Sequence, residues 1–426
     1  MSMTFYRRAL PGTQPMKDDK RKSVAVIGAG ASGLMASWHA ASAGARVVLF
    51  EKQKMIGRKI RATGNGRCNI TNRNIDVSFY HGRNPQFVRN VFGRFGLEET
   101  VAFFRDAGIP FVELESGRLY PASLQATSVT RIFEYELERL GVEVRLHRKI
   151  ERIDPLDGTH RLTTAGQERE DFDAVILAAG GCAYPQLGAS RSGYELASML
   201  GHTVHDPFPS ILPVTITLKA LHRLEGIKRD CSVSVLRSGR LVDRSTGELL
   251  FTKYGISGPA ALEVSRSINE SLESGEVPDI VIDFFPDTGA PEIDSLLSEL
   301  WSDAERPVSL SLRGVLRDRL CETLIRICGI DPAVPVKSLS ARQKAEIAGV
   351  LKGLRLRPGA PRPFGEAVVA AGGVDVGEVN PVSLESKLVR GLHITGELLD
   401  IDGDSGGYNL QFAWSTGALA GAAAAS

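Results

Sequence analysis

The chain has almost no net charge, no paired cysteine motif and no long hydrophobic run, and each shortage removes a class of function. Lys plus Arg number 51 against 50 for Asp plus Glu in 426 residues. No net field therefore draws the molecule to nucleic acid or to an anionic membrane, and no basic stretch interleaved with aromatics supplies a local substitute. Five cysteines, Cys68, Cys182, Cys231, Cys321 and Cys328, contain no C-x-x-C pair and no metal-finger spacing. That excludes a disulfide framework and a zinc module, and it points to a reducing compartment. No stretch approaches the roughly 20 apolar residues of a membrane span. The polar start, with its run Lys17-Asp18-Asp19-Lys20-Arg21-Lys22, lacks the apolar core of a signal peptide. The expectation is a cytoplasmic protein without membrane or nucleic-acid partners, residues 1–21 being a loose extension. The sequence carries no readable signal of oligomeric state.

What is present is the composition of a folded globular chain, 43% hydrophobic and 24% charged, long enough for roughly two or three domains and a large cofactor. Ser23-Val24-Ala25-Val26-Ile27 is a short β-branched run that leads into Gly28-Ala29-Gly30-Ala31-Ser32-Gly33 and an alanine-rich segment to Ala43. This reads as strand, tight turn and helix. Gly44 ends the helix where a left-handed residue is least strained, and Arg46 to Glu51 reads as the next parallel strand. A polar, Gly-rich stretch from Gly57 to Asn74 follows, long enough for a functional loop. Asp173 to Leu177 is another buried strand, closing on Ala178-Ala179-Gly180-Gly181.

From Pro207 to about Pro286 the texture changes to prolines and alternating strands, such as Val214 to Leu218 and Cys231 to Leu236. Helical patterns occupy about 292–352, one starting at Ser340 with Gln343 three residues on, a capping box. A Pro/Gly-rich link, Pro358 to Pro363, returns to glycine and strand signals like those of the first domain. The predicted fold is α/β: a discontinuous Rossmann-type domain over 22–206 and 365–426, a β-rich insert over 207–286 and 353–364, and a helical insert over 287–352.

Gly28, Gly30 and Gly33 occupy the G-x-G-x-x-G positions. The first permits the tight turn, the second lets a pyrophosphate reach the backbone, and the third lets helix and strand pack closely. The helix N-terminus, through Ala31 and Ser32, offers free N–H groups and a positive dipole end. Glu51, with Lys52 adjoining, closes the second strand about 20 residues on, where a carboxylate meets a ribose hydroxyl. This set predicts a bound dinucleotide, FAD or NAD alike.

Two further segments resemble the second and third FAD contacts of the two-dinucleotide-binding-domain flavoproteins: Ala178-Ala179-Gly180-Gly181, and Gly391-Leu392-His393-Ile394-Thr395-Gly396-Glu397-Leu398-Leu399-Asp400. In that superfamily the late acidic residue bonds the ribityl chain, and the next helix N-terminus faces the flavin pyrimidine. Here Gly406-Gly407-Tyr408-Asn409-Leu410-Gln411 precedes an Ala/Gly-rich helix.

More specific matches run in order along nearly the whole chain: Gly57-Arg58-Lys59-Ile60, Thr63-Gly64-Asn65-Gly66-Arg67-Cys68-Asn69-Ile70-Thr71-Asn72, Arg118-Leu119-Tyr120-Pro121, Gly180 to Pro185, Gly247 to Thr252, Gly255 to Ala260, Glu385-Ser386-Lys387 and Gly396 to Asn409. In these the chain resembles the YhiN-like (BaiN/RdsA-type) NAD(P)/FAD-dependent oxidoreductases. The resemblance implies an FAD domain with an inserted β-barrel-like domain and a helical insert. It also implies that Arg58, Lys59, Arg67, Cys68 and Asn69 lie along FAD, and that Asn409, Leu410 and Gln411 touch the flavin ring.

The chain departs from the family at one loop. The usual Gly-Ser-Thr-Gly-Asp-Gly-Tyr is replaced by Gly188-Ala189-Ser190-Arg191-Ser192-Gly193-Tyr194. The acid is lost and Arg191 gained, which suits either an anionic ligand such as a 2′-phosphate or an arginine at a helix start.

Residues of reactive type read mostly as structure. Cys68 and Cys182 have no partner cysteine nearby in sequence, so packing against FAD is favoured over a redox thiol. His393 lies in an apolar strand pattern and reads as an interior histidine. His81, in His81-Gly82-Arg83-Asn84, can meet substrate, although a solvated loop is its default. Tyr184 and Tyr408 border flavin motifs and either donate a proton or wall the pocket. Flavin chemistry needs no conspicuous triad, because the cofactor carries the hydride. The expected function is an oxidoreductase in which NADPH or NADH reduces FAD, which then passes hydride to a small-molecule substrate with an activated double bond. An amine oxidase using O₂, an FAD-dependent RNA-modifying enzyme and a non-catalytic flavin sensor are the alternatives.

Overall fold

The computed structural model describes residues 21–426, so the N-terminal extension expected before them lies outside the described residues, apart from Arg21. Five strands pair as one parallel sheet in the order Leu392–Ile394, Ala174–Leu177, Ser23–Ile27, Arg46–Glu51 and Glu143–Leu146. Its central strands are buried along their length, as a parallel sheet covered on both faces requires. The helices Ala31–Ser42 and Tyr408–Ala425 pack on each other and on this sheet. They approach so closely that a Cβ on Gly417 would lie 2.3 Å from the Ser32 carbonyl, and one on Gly421 2.3 Å from that of Ala36. The alanine and glycine content of the last helix is thus a packing requirement. Both ends of the described chain share one core, which makes this a Rossmann-type α/β fold.

A second core gathers Val233, Leu249, Phe251, Val264, Ile280, Ile282 and Leu324. Around it run six antiparallel strands in the order Val214–Thr215, Gly255–Ser257, Arg240–Thr252, Lys228–Arg237, Asp279–Asp283 and Leu354–Leu356. The two edges meet: Thr217 N donates to Arg357 O at 3.1 Å and Gly359 N to Thr215 O at 2.8 Å. The sheet therefore closes on itself as a barrel. The helices Ala290–Leu300, Asp318–Ile327 and Ala341–Gly353 pack on the same core. Ser340 caps the last of these as expected, its Oγ accepting from Gln343 N at 3.2 Å.

Three local expectations need correction. The β-rich segment contains a 15-residue helix, Pro259–Glu273. Gly258, at φ +84°, turns the chain, and Pro259 occupies the helical first turn where its missing N–H is harmless. The stretch from Gly57 is not simply loop, since Arg58–Gly66 winds helically with a break at Thr63, Gly64 and Asn65. The strand expected over Val214 to Leu218 is shorter, because a 3₁₀ turn begins at Lys219.

Candidate active site

The carboxyl ends of the parallel strands open on one elongated cleft enclosing about 1320 Å³, open mouth included. Gly28 N donates to Phe50 O at 2.8 Å, and Ala178 N to Ile27 O at 2.9 Å, which locks the glycine turn to both neighbouring strands. Gly28 has φ +106°, and a Cβ there would lie 2.5 Å from Ala178 O. At Gly33 it would lie 1.8 Å from Gly28 O, so this glycine serves helix–strand packing. At Gly30 and Gly180 an added Cβ would meet nothing within 4 Å. The first intrahelical bond runs from Leu34 N to Gly30 O, so the amides before Leu34 have no intrahelical partner.

Glu51 accepts from Ala29 N at 2.9 Å and from Gln53 N at 2.8 Å, which fixes the carboxylate at the cleft wall. Lys52 Nζ reaches Ser190 Oγ at 2.5 Å, tying the second strand to the altered loop. Arg58 bonds Gln53 and the Gln186 carbonyl, and Lys59 pairs with Glu397 at 2.7 Å across the cleft. Glu397 also accepts from Ala370 N at 3.0 Å and lies beneath Gly181, where a Cβ would meet it at 2.7 Å.

Of the residues singled out in the sequence, Gly28, Gly30, Ala31, Ser32, Glu51, Lys52, Arg58, Lys59, Thr63, Ala178, Ala179, Gly180, Gly181, Glu397, Asn409 and Leu410 line this one cleft. The others stand behind it. Gly57 takes φ +63° against Thr130, and Gly396 takes φ +66° against Ser32. Gly64 and Gly66 form the helix break, and Arg67 lies over the Tyr120 ring at 5.0 Å. Burial pushes the Cys68 thiol up to about 12 and that of Cys182 to about 11, so both are protonated and unreactive at neutral pH. Tyr184 is half-buried at φ +63° and starts the turn Pro185–Leu187.

Asp400 is buried and accepts from Arg83 N at 3.2 Å, whereas Glu397 faces the cleft. Burial drives the Asp400 carboxyl above its ordinary value against the pull of Arg83. Gly407, at φ +102°, caps the last helix against Thr71. Tyr408 stacks on Phe79 with ring centroids 4.6 Å apart. The Gln411 amide turns into the core, donating to Thr100 Oγ1 at 2.7 Å and accepting from Thr71 at 2.5 Å. His393 is buried in its strand, and burial holds it below its ordinary value.

Arg148 and Lys149 also line the cleft, unforeseen. Their signal was positional: they follow the strand Glu143–Leu146, and ligands of such sheets bind at strand carboxyl ends. Val368 and Val369 carried no signal.

The open glycines, the amides before Leu34 and the fixed Glu51 fit a dinucleotide phosphate and ribose. The Asn69 Oδ1, buried without a partner beside Gly407, marks an unmet acceptor near the opposite end. The fold is Rossmann-type, and a whole-chain family match with an oxidoreductase relative makes the protein an FAD-dependent oxidoreductase. Residues 22–423 match the family described as HI0933-like protein Rossmann domain, and the chain belongs to that family. It is 37% identical over 405 residues to a 3-dehydro-bile acid delta(4,6)-reductase of Clostridium scindens, covering 94% of this chain and 98% of that one. It is 31% identical to a ribosomal RNA dihydrouridine synthase of Escherichia coli (93% and 96% covered) and 29% identical to one of Haemophilus influenzae (92% and 95%). No helix of the described residues is long and apolar enough to cross a membrane.

Proposed function

We propose that this chain is an NAD(P)H-driven reductase that saturates a C=C bond conjugated to a carbonyl in a small organic molecule. The observation that carries this reading is the near full-length similarity to relatives whose names, on two different substrates, describe the same change, hydrogen added across a C=C bond. Bound FAD supplies a two-electron carrier between the nicotinamide donor and the acceptor.

The chain's own residues do the rest. In this reading Gly28 to Gly33 and Glu51 hold the phosphates and ribose, Lys59 and Glu397 span the middle of the cofactor, and Asn409 and Leu410 approach the ring. The N-terminus of Tyr408–Ala425 places a positive dipole end where negative charge develops. The five unpaired thiols support a reducing, cytoplasmic setting.

A small acceptor is favoured over RNA because the chain is nearly neutral, +1 in formal charge, and RNA binding draws on concentrated positive charge. The relatives named for dihydrouridine synthesis keep the RNA reading as the second one. The test is anaerobic bleaching of the bound flavin with NADH and NADPH in turn, followed by a steroid 4-en-3-one, a uridine-containing ribosomal RNA fragment, or air with a primary amine. Bleaching by a nicotinamide and rapid reoxidation by the enone are expected. Reoxidation by RNA alone, weakening steeply with salt, replaces the substrate class; peroxide from an amine without nicotinamide bleaching overturns the reductase.

A further inference from the structure

The strand Tyr80–His81 pairs with Asp402–Gly403, opposite in register at His81 and Asp402. This pairing brings His81 Nε2 to 2.6 Å from Asp404 Oδ1, 323 residues away in sequence. The imidazole is one-third exposed, and its Nδ1 has no hydrogen-bond partner among the described residues. Asp404 is one side chain from the cleft, because Asn409 lines the cleft and its Nδ2 lies 2.6 Å from Gly403 O and 3.4 Å from Asp404 O. The neighbouring carboxylate is already engaged: Asp402 pairs with Arg266 at 2.9 Å, both nearly enclosed. Arg266 comes from Pro259–Glu273, a helix of the second core. The histidine–carboxylate pair thus sits at the seam between the two cores, beside the N-terminus of the last helix.

We propose that His81, oriented by Asp404, is the general acid that protonates the substrate, an inference that rests on the reductase reading above. The π bond of the substrate breaks, one carbon takes the hydride pair carried by the cofactor, and the other takes the proton from His81 Nδ1–H. Neutral His81 keeps its Nε2–H on Asp404 and regains the Nδ1 proton from solvent through its exposed edge. The surrounding charges suit this role. Burial and the Arg266 guanidinium disfavour the imidazolium, but the hydrogen bond and charge of Asp404, with Asp402 behind it, outweigh them and raise its proton affinity. The donor therefore stays loaded above the ordinary histidine value of about 6.5.

The test uses the FAD-loaded full chain and the variants His81→Gln and Asp404→Asn, with flavin content and melting temperature as fold controls. An NMR titration of the imidazoles, independent of turnover, should place His81 above 6.5 in the parent and lower it in Asp404→Asn. With a steroid 4-en-3-one as probe, His81→Gln should slow acceptor reduction by 100-fold or more. Asp404→Asn should shift the alkaline limb of kcat/KM to lower pH. Enone reduction by His81→Gln within threefold of the parent, on an unchanged pH profile, overturns the acid role. A His81 titration indifferent to Asp404→Asn overturns the pair on its own. No enone reduction by the parent overturns the reductase reading, a distinct failure.

Discussion

The two ends of the cleft are built on different principles. At the glycine turn the backbone does the work: Gly28, Gly30 and Gly33 are placed by contacts and openings at their α-carbons, and Glu51 is held by two amides. Beyond the turn, side chains from distant segments take over: Lys59 meets Glu397 across the cleft, and the partnerless Asn69 stands behind its wall beside Gly407. At the turn, Gly28 and Gly33 admit no added side chain, whereas in the second region the polarity of Lys59, Glu397 and Asn69 adds to the steric limits at Gly181 and Gly407.

That contrast is most severely tested at Gly33. Gly33→Val drives a branched side chain into Gly28 O and should destabilise the protein by about 3 kcal/mol or more. Both flavin absorbance per chain and the melting temperature should fall; retention of both would break the comparison at its first term.

His39 probes the helix behind the same turn. Burial lowers its pKa from 6.5 to about 4, and its Nε2 has no partner. The folded state therefore favours the neutral ring, so stability is complete above the unfolded value of 6.5 and is lost as pH falls towards 4. The loss reaches about 3 kcal/mol, and His39→Phe should flatten the melting temperature between pH 6.5 and 4. An unchanged slope would show that the ring is already hydrated in the fold.

The opposite end predicts a separation of stability from affinity. Asn69→Ala removes an unmet buried acceptor, so the FAD-free protein should melt within about 0.5 kcal/mol of the parent. FAD binding, measured by fluorescence titration, should weaken about tenfold, or about 1.4 kcal/mol. A parallel fall in both would make this end as rigid as the first.

The smallest effect is expected at Arg191, the N-cap residue of Ser192–Met199, whose exposed ion pair with Asp206 spans 3.0 Å. Arg191→Ala should change stability by less than about 0.5 kcal/mol. The ratio of NADPH to NADH rates should stay within twofold. A tenfold loss of NADPH preference would instead identify a 2′-phosphate reader.

The same contrast explains what was legible in the sequence. Gly28 to Gly33 and Glu51 could be read because a local backbone rule dictates residue type at each position. Gln411 shows the limit: its motif indicates a helix start near the cofactor, but not that its amide turns to Thr71 and Thr100. The helix Pro259–Glu273 was masked by the strand texture on both sides. The barrel closure through Thr215, Thr217, Arg357 and Gly359 joins segments some 140 residues apart, and no local pattern announces it. His81 read as a loop residue because Asp404, which gives it meaning, lies at the far end of the chain.

The sharing of one sheet by the first and last segments also orders events in time. Ser23–Ile27 is synthesised well before Leu392–Ile394 can join its sheet, and Ala31–Ser42 well before the glycine-lined helix Tyr408–Ala425 that covers it. The barrel strands, from Val214 to Leu356, are all synthesised before either arrives. Long-range pairings of this kind form slowly. The nascent first half therefore waits with an incomplete cleft until Leu392–Ile394 and Tyr408–Ala425 are made, which places completion of the site after synthesis of the barrel.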